Sequence, residues 1–184
     1  MRILFVLLGF IFIQSKSYAK MPNTMDPQDT FPVPTNIKNQ LFYLQRTTNT
    51  NTVIYALNIN DKGFLDESNP VKVFWIRYPE GGMHKDLNFI QKAFAYGTTS
   101  KKNKDGSFTI HLVAYKKKDF TLKKSPIDNT YKLYTLINNK ESEIKRVFIK
   151  IDPGGTLFNP NIAYVEMKGK EAISSKPILE RFKP

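Results

Sequence analysis

The chain has no cysteine and only two histidines, His84 and His111, among its 184 residues. The absence of cysteine excludes disulfides, thiolate metal sites and a cysteine nucleophile. A typical catalytic zinc site takes three protein ligands, usually including two histidines at motif spacing, and no such motif occurs. We therefore expect no metal site and no cofactor, assign no catalytic residue, and expect packing alone to hold the fold together.

Other signatures of catalysis are also missing. The sequence contains no G-x-S-x-G, no phosphate-binding G-x-x-x-x-G-K and no dinucleotide-binding G-x-G-x-x-G. The pairs Gly81-Gly82 and Gly154-Gly155 stand in turn-like stretches, where glycine supplies the positive φ angles that tight turns require. The absence of these motifs therefore favours a binding function over a catalytic one.

The first residues have the organisation of a secretory signal peptide. Arg2 precedes an apolar run over 3–13, and Ser17 and Ala19 are small residues at a cleavage boundary after Ala19. The run is shorter than the roughly 20 residues that span a bilayer, and no later segment could do so. We expect residues 1–19 to be removed and the mature protein to be periplasmic or extracellular. An exported domain without disulfides is typical of bacteria.

The remaining chain is long enough for one domain. Residues 20–40 are rich in Pro, Asn, Thr and Asp and are predicted to form an extended lead-in. From residue 41 onward, short β-branched and aromatic runs alternate with turn signals. Strands are predicted at 41–46, 52–59, 71–78, 108–115, 120–123, 131–138, 144–151, 162–168 and 178–182. This pattern predicts an all-β domain over 41–184, a single antiparallel β-sandwich or alternatively a small up-and-down barrel.

The segment FWIRYPEGGMHKDLNFIQKAFAYG, residues 74–97, carries the densest mixed chemistry. In the strand over 71–78, alternation puts Trp75 and Arg77 on one face, with Tyr78 on the other. The pattern over 87–96 predicts one short helix, with Asp86 as its N-cap and Gly97 after its last residue.

Five residues of this segment form a candidate binding site: Trp75, Arg77, Tyr78, His84 and Gln91. Gln91 lies on a helical stripe that is otherwise apolar, and a buried glutamine must be hydrogen-bonded. One interpretation is a satisfied polar network that fixes the helix to the sheet. The other is a ligand pocket built from these groups.

The charge is strongly positive, at +12, and becomes +10 without the signal peptide because Arg2 and Lys16 are lost (12 − 2). Such a field favours anionic partners, here an envelope glycan, lipopolysaccharide or lipid headgroups. Lysines outnumber arginines by 23 to 5, which disfavours nucleic acid, as does export. The candidate anionic-partner surface comprises Lys101, Lys102, Lys104, Lys116, Lys117, Lys118, Lys123 and Lys124. Alternatively these lysines reflect compositional drift and blunt the edges of hairpins.

The segments LFYLQRTTNTNTVIYALN, NPVKVFWIRYPEGG, IQKAFAYG and HLVAYKKKDFTLKK resemble the DUF4833 family, exported bacterial proteins of unknown function. The likeness covers about residues 41–183. It implies export and one self-contained domain, and it carries over no catalytic residue because the family has no established activity.

Three hypotheses follow from these observations. The first is an exported, non-catalytic protein that binds a ligand or envelope component. The second is a hydrolase acting on an envelope polymer with a histidine and carboxylate pair, His84 or His111 supplying the imidazole. The third is a structural interaction module without a pocket. No pattern in the sequence indicates an oligomeric state.

Overall fold

The structure is a computed structural model that describes residues 31–156 and 159–184. Within them, eleven strands accompany a 3-10 turn at Tyr78–Glu80 and one short helical segment, in which α1 (Phe89–Gln91) continues into a π-helical turn (Lys92–Tyr96). The strands are β1 Gln40–Arg46, β2 Asn49–Leu57, β3 Val71–Arg77, β4 Met83–Asp86, β5 Thr98–Lys102, β6 Phe108–Leu112, β7 Tyr115–Lys124, β8 Tyr131–Ile137, β9 Lys140–Gly155, β10 Pro160–Glu171 and β11 Pro177–Phe182. The predicted signal peptide lies outside the described residues.

All strands belong to one sheet, in the order β4-β3-β2-β1-β9-β8-β7-β6-β5. The sixteen-residue β9 is the branch point: one of its edges pairs with β8 through residues 140–143 and then with β1 through 146–149. Its other edge pairs with β10, which in turn pairs with β11. The sheet therefore forks at β9 and curls into a half-barrel.

The predicted all-β class with one short helix is confirmed, whereas the predicted purely antiparallel pairing is wrong. β1 and β9 run parallel, so the sheet is mixed, and a β-sandwich is not confirmed. The physical reason is the distance along the chain between these partners. Residue patterns identify strands and their faces, but they carry no signal for a parallel pairing across about one hundred intervening residues.

The concave face of the sheet carries the main core. Phe42 of β1 stacks on Tyr55 of β2 with ring centroids 4.2 Å apart, and Phe120 of β7 lies 6.2 Å from Phe42. Val147 from β9 and Met167 from β10 complete the same cluster. A smaller cluster on the opposite face contains Ile54, Ala56 and Ile76, with Ile37, Tyr43, Phe74 and Tyr78 packed against it.

The helical segment begins later than predicted. Asp86 ends β4, and Asn88 is the N-cap. The Asn88 side chain accepts a hydrogen bond from the Gln91 backbone N–H (2.8 Å), and the Gln91 side chain accepts one from the Asn88 N–H (3.0 Å). This reciprocal pair is a capping box, which outcompetes a lone carboxylate as a start signal because it satisfies two backbone donors.

Two turn predictions also need correction. Residues 116–118 lie inside β7, because the chain turns earlier, at 113–114. Lys116 and Lys117 occupy exposed strand positions, which accept lysine, and Lys118 is half-buried. Gly154 and Gly155 end β9 instead of forming a separate turn, although both have the expected positive φ (92° and 83°). The positive φ predicted for Gly81 and Gly82 is confirmed at 70° and 77°.

Candidate functional site

The curled sheet encloses a cavity of about 790 Å³. Its walls come from strands on both sides of the fork: Leu44, Tyr55 and Trp75 face it from β1, β2 and β3, and Val147 and Met167 face it from β9 and β10. The helical segment closes one side. The cavity is lined mainly by aliphatic and aromatic side chains, and charged and amide side chains form the rest of its wall.

Trp75 connects the cavity wall to the helical segment. It is 8% exposed, and its indole N–H points to the Gln91 side-chain oxygen at 3.4 Å. The Tyr96 ring meets the indole edge-on, with centroids 5.0 Å apart. The same Gln91 oxygen accepts the Asn88 N–H of the capping box. Gln91 is therefore hydrogen-bonded within a polar network that fixes the helical segment to β3, and it also lines the cavity.

A buried hydroxyl strengthens this attachment. Tyr55 is 1% exposed and donates its hydroxyl proton to the Tyr96 carbonyl oxygen at 2.9 Å. Burial raises the pKa of the Tyr55 hydroxyl well above its ordinary value. Burial also raises the pKa of Tyr96, against the opposing effect of the Arg46 guanidinium beside it. Both phenols are therefore neutral donors or acceptors at physiological pH.

The polar end of the cavity lies at the β1–β2 hairpin. Arg46 ends β1 on the same face as Leu44, and Asn49 and Asn51 begin β2 beside it. The Arg46 Nε atom and the Asn51 Oδ1 atom are both buried, and neither has a hydrogen-bond partner among the described residues. The cavity thus combines an apolar body with one end that carries unsatisfied polar atoms.

Arg77 and Lys118 also line the cavity, and each is paired with a carboxylate. Arg77 forms an ion pair with Glu80 in the following 3-10 turn. Lys118 lies 3.3 Å from Glu180 and 5.5 Å from the centre of the Phe182 ring. These two cations are therefore largely neutralised within the protein.

Two residues of the predicted binding site lie elsewhere. His84 is opposite Ile76 in the β3–β4 pair, so it shares the convex face, where it packs on Phe74 at 5.1 Å and lines a separate cavity of about 380 Å³. Tyr78 packs against the smaller core cluster on that face. The structure brings Trp75, Arg77 and Gln91 together and leaves His84 and Tyr78 apart from them.

The other histidine has a carboxylate partner. His111 on β6 lies 2.8 Å from Asp119 on β7, the kind of pair that the hydrolase hypothesis requires. The Asp119 side chain is 75% exposed, and neither residue lines either of the two cavities described above. No group of three acidic or histidine side chains suited to a metal ion occurs in residues 31–156 and 159–184.

The eight candidate surface lysines lie on neighbouring strands and turns. Those numbered 101–104 belong to β5 and the turn after it, and the others belong to β7, with β6 between the two strands. Three of them form ion pairs: Lys102 with Glu67, Lys118 with Glu180 and Lys123 with Glu141. The remaining five have no ion pair with a described residue: Lys101, Lys104, Lys116, Lys117 and Lys124.

The cavity residues that the sequence did not predict include Arg46, Asn51, Tyr55 and Tyr96. Arg46 had a usable signal, because it follows Leu44 by two residues and so shares the inward face of a largely apolar strand. Asn51 had none, since asparagines in a Thr- and Asn-rich hairpin are ordinary turn residues.

These features define an all-β protein whose curled, mixed sheet encloses an apolar cavity. Residues 42–181 match DUF4833, a domain of unknown function, so the chain belongs to that family, as the resemblance of its segments predicted. Searches among curated proteins and among solved structures found no match. In the described part of the chain, no helix has the length and apolar character needed to cross a bilayer.

Proposed function

We propose that this protein is a non-catalytic binding protein that holds a small, largely apolar ligand in the cavity of the half-barrel. The observation that carries the proposal is the cavity itself, at about 790 Å³ with an aromatic and aliphatic lining. Ligand sites typically measure roughly 300–1,000 Å³ and combine apolar walls with a few polar groups. A structural interaction module without a pocket, the third hypothesis from the sequence, would need no such cavity in its core.

The cellular setting in this proposal comes from the sequence. The signal-peptide pattern of residues 1–19 supports export to the periplasm or the cell exterior. The ligand would then be a component of the cell envelope, and the lysine-rich surface would favour a negatively charged environment such as lipopolysaccharide, an acidic glycan or lipid headgroups.

The hydrolase alternative has one supporting observation, the His111–Asp119 pair at 2.8 Å. A general base of this kind must also lie within reach of a bound substrate. Because the pair is exposed and lines neither cavity, it provides no surface that would hold or desolvate one. The non-catalytic proposal therefore accounts for more of the molecule.

Trp75 is the only tryptophan and lies in the cavity wall, so its fluorescence reports directly on occupancy. We expect N-phenylnaphthylamine, a neutral apolar probe, to bind the full protein with saturable quenching of Trp75. Val147→Phe fills the cavity and should weaken this binding at least tenfold, because the added ring occupies the space of the probe.

The matched control is Leu136→Phe, which adds a ring at a position that is 56% exposed and away from the cavity. This variant should bind like the wild type. Circular dichroism and urea unfolding establish that both variants are folded. Absence of saturable binding to the wild type, or equal binding by a folded Val147→Phe protein, would contradict the proposal.

A further inference from the structure

We propose that the ligand carries an anionic head group that Arg46 binds at the hairpin end of the cavity, while its apolar body occupies the remainder. This inference rests on the proposed function, because it names the class of molecule that would fill the same cavity. It is carried by the arrangement of charge and unsatisfied polar atoms around the cavity wall.

The environment of Arg46 is the main evidence for this proposal. The Nε atom of Arg46 is buried without an acceptor among the described residues, and no described carboxylate forms an ion pair with its guanidinium. A guanidinium cannot give up its proton, and a charged donor left unsatisfied away from water is destabilising. A carboxylate or phosphate on a ligand would supply the missing acceptor through a charge-assisted hydrogen bond.

The other cations of the wall do not offer the same opportunity. Arg77 is paired with Glu80 and Lys118 with Glu180. Lys85 belongs to β4, whose four residues are all exposed, so water already solvates its ammonium group. Among the described residues of the cavity wall, the partly buried cation without a carboxylate partner is therefore Arg46, and it marks where an anion would bind.

Asn51 adds a second group at the same end. Arg46 is opposite Asn49 in the β1–β2 pair, and Asn51 follows Asn49 by two residues, so all three side chains share the cavity face. The Asn51 Oδ1 atom is buried without a donor. A hydroxyl or amide N–H next to the anion would satisfy it, and rotation of the side-chain amide would instead present its NH₂ group to the anion.

The rest of the wall fits an acyl chain. Leu44, Phe120, Val147 and Met167 line the space between the two branches of the sheet, and Ile149 lies opposite Arg46 in the β1–β9 pair. These side chains offer no hydrogen bonds, so they favour hydrocarbon over sugar or peptide. The cavity therefore fits an amphipathic ligand with one charged end, in the orientation that brings its charge to Arg46.

Four probes of equal chain length separate the contribution of the head-group charge from that of the alkyl chain. They are dodecanoate, dodecyl phosphate, the neutral dodecanol and the cationic dodecylamine. Each is titrated into the full protein below its critical micelle concentration, with Trp75 fluorescence and calorimetry as readouts. We expect the wild type to bind at least one of the two anions about 10- to 100-fold more tightly than dodecanol, the range that a hydrogen bond to a charged group supplies. The better anion identifies carboxylate or phosphate as the preferred head group.

Arg46→Gln should reduce this preference to nearly one without changing the affinity for dodecanol. Arg46→Lys, which keeps the charge but lacks the planar fork, should retain part of it. Arg146→Gln is the matched control, because Arg146 lies on the adjacent strand opposite Tyr43, outside the cavity wall. Circular dichroism and urea unfolding verify that all three variants fold.

The outcomes separate this inference from the proposed function. Failure of all four probes to bind would overturn the proposed function together with the inference. Dodecanol binding as tightly as both anions, or an anion preference that survives in a folded Arg46→Gln protein, would overturn only the inference. Loss of the preference in Arg146→Gln as well would assign it to the overall charge and would likewise overturn the role of Arg46.

Discussion

At the scale of single residues, Tyr55 has the most consequential contact. Its ring stacks on Phe42 in the core, while its hydroxyl donates to the Tyr96 backbone oxygen across the cavity wall. Tyr96 ends the π-helical turn, so this one bond ties the helical segment to β2. A single hydroxyl therefore links the core to the element that closes the cavity.

We expect Tyr55→Phe to lower the free energy of unfolding by about 1–3 kcal/mol, because the Tyr96 oxygen loses a buried donor. The substitution should also change the pH dependence. In the folded protein the pKa of Tyr55 lies above its ordinary value of 10.0, so the unfolded chain releases this proton first. The stabilisation is therefore complete below pH about 10 and is lost as the pH rises further.

Urea unfolding at neutral pH and at several alkaline pH values measures both effects. Tyr55→Phe should give a shallower alkaline decline than the wild type. Tyr131→Phe is the control, since its hydroxyl has no hydrogen bond to a described residue and its ring is half-buried. Equal losses in the two variants, or an unchanged alkaline slope in Tyr55→Phe, would show that the hydroxyl does not have this role.

The residue scale also shows how far the candidate site could be predicted. Strand alternation placed Trp75 and Arg77 on one face, and both line the cavity. The same rule applied to β1 would have added Arg46. His84 does not lie beside them, because β4 turns back along β3 and places His84 opposite Ile76, on the other face of the sheet. Proximity in sequence did not equal proximity across the sheet.

At the scale of elements, the helical segment is short and depends on its ends. The Asn88–Gln91 capping box begins it, and Gly97 ends it with its N–H bonded to the Lys92 oxygen at 3.1 Å. Gly97 has an extended backbone with φ of −65°, which any residue can adopt. What requires glycine is space, because a Cβ there would lie 2.1 Å from the Lys92 oxygen.

We expect Gly97→Ala to lower the free energy of unfolding by about 2–3 kcal/mol, as overpacking against backbone does. The displaced turn should carry Tyr96 away from Trp75, so Trp75 emission should shift and probe binding should weaken. Chemical unfolding and fluorescence of the free protein measure these effects.

Gly106→Ala is the control for this prediction. Gly106 has φ of 83° with nothing within 4 Å of the added carbon, so its cost of about 1–2 kcal/mol comes from the left-handed backbone alone. Its Trp75 emission and probe binding should equal those of the wild type. Unchanged Trp75 emission in Gly97→Ala would contradict the proposed role of the glycine.

The boundaries of strands and of the helix could be predicted only where the different local sequence signals agree on the same residues. β1, β3 and β8 begin and end within one residue of the predicted runs because apolar alternation and turn residues agree there. The gap between the predicted strands 108–115 and 120–123 predicts a turn at the lysine run 116–118, yet this run lies inside β7, where strand positions accept lysine. The helix start was missed because Asp86 and Asn88 are both capping residues, and only the reciprocal bond with Gln91 decides between them.

At the scale of the whole molecule, the fork at β9 creates the cavity by directing β8 and β1 to successive stretches of one edge. Thr47 reinforces the branch, since its hydroxyl donates to the Ile151 oxygen at 2.9 Å and accepts the Ile151 N–H at 2.8 Å. Such a junction joins residues more than one hundred positions apart. Composition and periodicity could predict the strands but not this connection.

The net charge of +12 is also a property of the whole molecule. The distribution of the basic side chains over the surface decides whether the protein binds an anionic partner through one specific face. Lys101 lies on β5, and Lys116 and Lys117 lie on β7, with β6 between the two strands. None of the three forms an ion pair with a described residue. We expect the protein to co-sediment with phosphatidylglycerol vesicles at low salt and to be released above about 0.1 M salt, where the Debye length falls below roughly 10 Å.

Replacing these three lysines with glutamate should weaken vesicle binding more than the same change at Lys38, Lys62 and Lys170. The two triple variants have identical net charge, and the control lysines are exposed on other parts of the molecule. A larger loss in the first variant means that the lysines of β5 and β7 form a localised anion-binding surface. Equal losses would instead mean that attraction follows net charge alone, and the lysine excess would then reflect a diffuse, solvated surface without a preferred contact face.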